Sequence, residues 1–182
     1  MSAHRPAAAP VSGGPGWGRP RRRTVDWWDP APVAEAAEGL SGLEFLRAVR
    51  DGLLPPPPMA SLFGLRIVAV ERGSVVFECE PDESTYNPIG TVHGGLVCTL
   101  ADTVSACAVH TTLEAGVGYT SIDLDVRYLR PVTAASGVLS ATGSVTRPGR
   151  RVAFATATIT DAAGRSVATA TTSCLIMGRT GP

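Results

Sequence analysis

Lysine is absent from this 182-residue chain, and all 16 of its cationic side chains at neutral pH are arginine. They face 16 Asp and Glu residues, so the formal net charge is zero. A chain without a basic surplus is not expected to hold nucleic acid by bulk electrostatics. The missing lysine beside abundant Ala, Gly and Arg reads as a bias of composition, which lowers the functional weight of any single arginine. No run of about 18 apolar residues occurs, which excludes an ordinary membrane-spanning helix. The N-terminus also lacks the apolar segment of a signal peptide, since Pro and Gly interrupt it after Arg5. A cytoplasmic location is therefore expected. The four cysteines, Cys79, Cys98, Cys107 and Cys174, form no Cys-x-x-Cys pair. With His4, His93 and His110 they complete no zinc-ligand spacing, so no metal site is expected. They lie in apolar segments and are read as reduced, buried thiols. The Gly-x-Ser-x-Gly nucleophile elbow of α/β-hydrolases is missing as well.

Hydrophobic residues make up 44% of the chain and charged ones 18%, which suits a soluble globule with one domain and a tail. Residues 1–32 differ from the rest. They hold six prolines, four glycines, all three tryptophans and five arginines against two aspartates. Such a stretch buries too little surface to offset its ordering entropy, so a disordered tail is expected. Trp17, Trp27 and Trp28 with Arg21–Arg23 are read as a solvated arm, with docking on a partner or acidic surface as the alternative. Residues 33–58 are expected to hold one helix and a spacer. Ser41-Gly42-Leu43-Glu44 is a capping box, followed by an apolar side of Leu43, Leu46, Ala48 and Val49. Gly52 and Pro55–Pro58 end that helix, and the prolines are expected to run as an extended spacer.

The main domain is expected over 59–178. Leu65–Glu71 and Ser74–Glu80 flank Arg72-Gly73 as a hairpin, with period-two alternation in Val75, Phe77 and Cys79. Leu96–Thr112 contains neither Pro nor Gly and reads as a helix buried on most sides. Thr120–Leu129, Gly137–Thr146, Val152–Thr160 and Ser166–Ile176 read as strands, rich in Val, Thr and Ile. Their connections are too short for crossover helices. The expected fold is α+β, a mostly antiparallel sheet of about six strands wrapped around one long helix.

Chemistry is concentrated between Tyr86 and Asp102. Gly94 and Gly95 stand at the expected helix start, where amides lack internal partners and the helix dipole is positive. That suits an anion or a developing oxyanion, or else a tight turn into the helix. Asp102 interrupts an apolar helix and needs donors, for which Thr103 and Ser105 are at hand, or a polar cavity. His93 is read as a positioning residue, with a general acid or base or a structural loop residue as the alternatives, and Asn87 as a loop cap or an orienter of a carbonyl or water. His110 is read as structural. Eight residues separate Gly94 from Asp102, roughly 12 Å along a helix, and one carbonyl cannot touch both. Either they do unrelated jobs, or Gly94 of one subunit faces Asp102 of another.

Asn87, Gly90-Thr91-Val92-His93-Gly94-Gly95 and Leu100-Ala101-Asp102, followed by Thr120–Leu124 and Tyr128-Leu129-Arg130-Pro131, resemble the hotdog-fold acyl-CoA thioesterases of the PaaI-like group. That group includes phenylacetyl-CoA and 4-hydroxybenzoyl-CoA thioesterases. The likeness spans roughly residues 40–178. It implies a homodimer, often doubled to a tetramer, that hydrolyses acyl-CoA without a cofactor. It further implies that the Gly94 amide polarises the thioester carbonyl. Asp102 of the partner subunit would act as nucleophile or general base, with Asn87 and His93 orienting substrate or water. Ser121 matches a hydroxyl position near the acid, whereas Ala106 stands where other relatives carry a hydroxyl. Gly95 and Thr120 join the expected substrate contacts. Arg130, Arg150 and Arg151 are candidates for the coenzyme A phosphates by charge and placement. A non-catalytic acyl-thioester sensor on the same fold is the alternative. A hydratase is disfavoured, because the His93–Asp102 spacing does not pair them on one helix face.

Overall fold

The computed structural model describes residue 16 and residues 18–178. Trp17 and half of the expected tail lie outside the described residues. Residues 18–29 take no regular structure, and helix α1 runs Pro30–Ala36, across the boundary expected at residue 32. Arg21 pairs with Glu83, and Arg23 reaches the Ser84 hydroxyl at 3.4 Å.

Helix α2, Gly42–Arg50, begins on the capping box. The Ser41 amide donates to Glu44 at 2.8 Å and the Glu44 amide to the Ser41 hydroxyl at 3.4 Å. The proline run is not a spacer throughout, because Pro58 opens a third helix, α3, Pro58–Phe63. A proline fits the first helical position, where its missing N–H has no partner to lose. Gly64 then closes α3 in the left-handed conformation, with φ 65°.

Six strands follow: β1 Arg66–Glu71, β2 Ser74–Cys79, β3 Gly118–Tyr128, β4 Leu139–Arg147, β5 Val152–Thr160 and β6 Ser166–Met177. They form one sheet in the order β1-β2-β4-β5-β6-β3, and every neighbouring pair is antiparallel. Helix α4, Gly94–His110, follows β2 beside one edge of the sheet and carries the chain across to β3 at the other edge. It buries nine of its 17 residues against the sheet, including Leu100, Val104 and Val109. The expected α+β arrangement of an antiparallel sheet around a central helix is therefore present.

The sheet admits the helix because its inner positions are small. Ala141 on β4, Ala155 and Ala157 on β5, and Ala168 and Ala170 on β6 are all buried. Closest of all is Gly143, where an added Cβ would lie 2.2 Å from the Val104 carbonyl oxygen. Larger apolar side chains, Val75, Phe77 and Leu139, complete the buried face on β2 and β4.

Candidate active site

The loop before α4 is a small hairpin tied at several points. Tyr86 bridges Val92, and the Asn87 amide donates to the Thr91 carbonyl at 2.8 Å. The Asn87 side chain is wholly engaged within this loop. Its Oδ1 accepts from Ile89 and Thr91 amides at 3.1 and 3.2 Å, and its Nδ2 donates to Thr91 Oγ1 at 2.8 Å. The reversal uses Gly90 at φ 80°. Tyr86 Oη accepts from the Ala134 amide at 2.8 Å, which fixes the loop to the segment after β3.

His93 is the N-cap of α4. Its Nδ1 accepts from the Gly95 amide at 2.8 Å, so the neutral ring carries its proton on Nε2. The Leu96 amide is taken by the His93 carbonyl at 3.0 Å. Among the described residues the Gly94 N–H has no acceptor. A single free amide thus remains at the positive end of a 17-residue helix.

Tyr128, at the end of β3, covers that amide's residue. Its Oη donates to the Gly94 carbonyl at 3.1 Å and meets Cys98 Sγ at 2.8 Å. The thiol contact and burial push the Tyr128 hydroxyl up to about 12, so it stays a neutral donor. An added Cβ on Gly94 would stand 2.9 Å from the same oxygen. Gly94, His93, Tyr128 and Arg130 line one hollow of about 460 Å³. In the sequence Tyr128 is a strand residue and part of the resembling Tyr128–Pro131 stretch, with no role assigned; its place in the wall follows from β3 returning alongside α4.

Asp102 lies in a different hollow, of about 410 Å³, with Cys98, Thr99 and Ser121. Its Oδ1 accepts from Ser121 Oγ at 2.7 Å. Thr103 and Ser105 do not serve it: the Ser105 hydroxyl turns back to the Ala101 carbonyl at 2.7 Å. Beside Ser121 the β3–β6 ladder carries a bulge, where Ser121 pairs with Cys174 and Asp123 with Ser173. Ile122 is the extra residue and is 55% exposed. A bulge re-aims neighbouring side chains, and here it sits next to the one hydroxyl that holds the acid.

The structure therefore brings Asp102 to Ser121, and Gly94 to His93, Gly95 and Arg130, but keeps the two sets apart within one chain. Thr120 is exposed and sits next to Ser121 in the alternation, so it faces away from Asp102. Arg130 donates to the Ser166 carbonyl. Arg150 and Arg151 lie in the β4–β5 turn and join neither hollow. The cysteines are free thiols, with Cys79 and Cys174 buried and Cys98 and Cys107 partly so. No helix of the described residues is long and apolar enough to cross a membrane.

The thioesterase superfamily model matches residues 89–168, the span from the loop before α4 to the start of β6. Human acyl-coenzyme A thioesterase 13 is 32% identical over 105 residues, covering 57% of this chain and 74% of that protein. The chain belongs to the thioesterase superfamily. Among solved structures, this thioesterase-family chain is similar to the phenylacetic acid degradation-related protein of Ralstonia eutropha JMP134. That match has 32% identity and a TM-score of 0.65, over 71% of this chain and 97% of the other. The smu.793 protein of Streptococcus mutans UA159, solved bound to acetyl CoA, matches at 26% identity with a TM-score of 0.58. It covers 63% of this chain and 90% of its own. The E. coli PaaI protein, at 23% identity and a TM-score of 0.64, shares the fold over 71% of this chain and 91% of its own.

Proposed function

We propose that this protein hydrolyses an acyl-CoA thioester to a carboxylic acid and coenzyme A, in a site shared by two subunits. The observation that carries this reading is the separation of two half-sites on one helix. Gly94 offers a free amide at the start of α4, and Asp102 holds a carboxylate eight residues later, roughly 12 Å away. A two-fold pair of chains with antiparallel α4 helices sets each amide opposite the other chain's acid.

Strand β3 is the natural seam. It is 11 residues long, hydrogen-bonded to β6 on one side only, and exposes Ile122 and Tyr128, with Leu129 just beyond its end. A long strand edge with unpaired backbone groups is a template for pairing with a second copy. Pairing there brings Ser121 and Tyr128, which hold the two half-sites, to the same interface.

In this mechanism the thioester carbonyl oxygen accepts from the Gly94 N–H, which meets the charge that develops there. Asp102 of the partner subunit, with Oδ1 fixed by Ser121, attacks the carbonyl carbon or removes a proton from the attacking water. The C–S bond breaks as the tetrahedral intermediate collapses, and the coenzyme A thiolate takes up a proton. On the nucleophilic route a water then hydrolyses the acyl–Asp102 anhydride, which frees the acid and restores the carboxylate. His93 and Asn87 act by holding the loop and the first turn. Arg130 stands at the mouth of the Gly94 hollow, where the phosphates of coenzyme A meet positive charge. Arg150 and Arg151 lie at the other end of β3, so in an antiparallel β3–β3 pair they reach that mouth only from the partner subunit. The segment 59–178 is the catalytic domain.

Thiol release across a panel of acyl-CoAs tests the reaction. Asp102→Asn is expected to lower the rate at least about a hundredfold while the oligomer persists. An unchanged rate removes Asp102 from the mechanism. A single turnover in heavy-oxygen water that leaves label in the Asp102 carboxylate identifies the nucleophilic route, because water has then opened the acyl–aspartyl anhydride at the aspartyl carbonyl. The alternative, a non-catalytic binder of acyl thioesters, is what remains if the whole panel is bound and none is cleaved.

A further inference from the structure

A third cavity, of about 360 Å³, opens between α2, α3, β1 and the flank of α4. The N-terminal elements give it an apolar wall that includes Phe45, Val49, Met59 and Ala60. Thr103, Cys107 and His110 of α4 and Tyr119 of β3 form the opposite side. Its size is that of an ordinary small-ligand site.

Two elements connect this cavity to the acid. Thr99, Thr103, Cys107 and His110 follow at spacings of four, four and three, which puts them on one face of α4. Thr99 borders the Asp102 hollow and the other three border the cavity, so one helix face runs from the first into the second. On β3, Tyr119 borders the cavity, and Ser121, two residues on, holds Asp102 from the same face.

Among the described residues, both arginines that line the cavity are engaged in ion pairs. Arg50 is held by Asp51 at 2.8 Å, and Arg66 by Glu78 at 2.8 Å. Burial pushes the His110 imidazole down to about 4, so it is neutral at physiological pH. The family match begins at residue 89, whereas α2, α3 and β1 end by residue 71. The wall opposite α4 is thus built by a part of the chain outside the matched stretch.

We infer, on the thioester-hydrolase reading above, that this cavity receives the acyl group and selects an uncharged, mainly apolar one, a medium-length chain or a single aryl ring. An acyl group reaching from Asp102 to His110 has roughly 12 Å of helix face to follow, which stops a long chain. A carboxylate-tipped acyl group is rejected because it finds no cation free to offset its desolvation.

The test compares acetyl-, octanoyl-, phenylacetyl-, palmitoyl- and succinyl-CoA. Octanoyl or phenylacetyl is expected to give the highest kcat/KM. Thr103→Leu fills the cavity from α4, and Val49→Phe fills it from α2. Each is expected to lower the octanoyl-to-acetyl ratio of kcat/KM at least about tenfold, the usual scale for a misfitted apolar group. Calorimetry with S-octyl-CoA, a thioether that cannot be hydrolysed, reads the same site without turnover. It is expected to bind more tightly than coenzyme A alone, and to lose that advantage in both variants. If hydrolysis proceeds but neither variant moves the ratio or the thioether affinity, the cavity is not the acyl site although the hydrolase stands. If nothing is hydrolysed while thioether binding still depends on Thr103 and Val49, the acyl site stands and the hydrolase reading falls. A best substrate among acetyl-, palmitoyl- or succinyl-CoA overturns the inference.

Discussion

Among the described residues Asp102 has one side-chain donor, Ser121, and that pairing depends on a strand from the other side of the helix. Hydroxyls near in sequence were the obvious partners, yet a helical Ser bonds most easily to a carbonyl of its own previous turn, as Ser105 does. His110 shows the opposite case, a polar residue that matters through its lack of charge. It stacks between Phe45 and Tyr119, at 5.6 and 4.9 Å between ring centroids. Burial lowers it from 6.5 to about 4. The ionisable groups around it are Cys107 and Tyr119, both raised by burial and neutral, and the paired Arg50 and Arg66. Between these two pH values the unfolded chain binds a proton that the folded chain does not. Stability from this residue is therefore complete above about pH 6.5 and declines as pH falls toward 4. His110→Phe keeps the stacking and removes the titration. Its melting temperature is expected to fall less steeply than that of the wild type across this window, and parallel curves would assign the pH response elsewhere.

Elements follow from the sequence where local chemistry alone decides them. The capping box starts α2, Val-Thr-Ile alternation makes β5 run Val152–Thr160 as expected, and the apolar run after Gly95 makes α4. Expectation fails where a distant neighbour decides. Helix α3 begins inside the proline run because Pro58 is tolerated at a first turn and Gly64 closes it. The bulge at Ile122 depends on the β6 partner, and no residue of β3 announces it. The same reasoning covers the site. Gly94, His93 and Asp102 were legible as a motif, whereas Tyr128 and the third cavity exist only once β3, α2 and α3 have packed around α4. How closely α4 is seated rests on Gly143. Gly143→Ala is expected to destabilise the fold by about 1–3 kcal/mol or more, because the new Cβ meets backbone at 2.2 Å rather than a mobile side chain. Denaturant unfolding checks it, and a stability within about 0.5 kcal/mol of wild type would mean that the helix can lift off the sheet at little cost.

For the whole molecule, the decisive question is whether one reaction centre draws on two chains. Subunit complementation answers it without a structure of the assembly. Asp102→Asn and a second variant blocked at Gly94 by substitution with Val are each expected to be nearly inactive alone. Unfolded together and refolded at equal amounts, they form hybrids in which one of the two centres has both wild-type groups. The mixture is then expected to recover about a quarter of the wild-type rate, given random pairing in a two-fold dimer. No recovery from a mixture shown to contain hybrids would place both groups in the same chain's site, against the 12 Å or so that separates them.

The position of β3 at the rim of the sheet has a physiological reading. On the shared-site arrangement, a newly made chain is silent until it meets its twin, because the strand that seals the pair also completes the machinery. Turnover per chain is then expected to rise with protein concentration, and dilution that separates the pair is expected to abolish it.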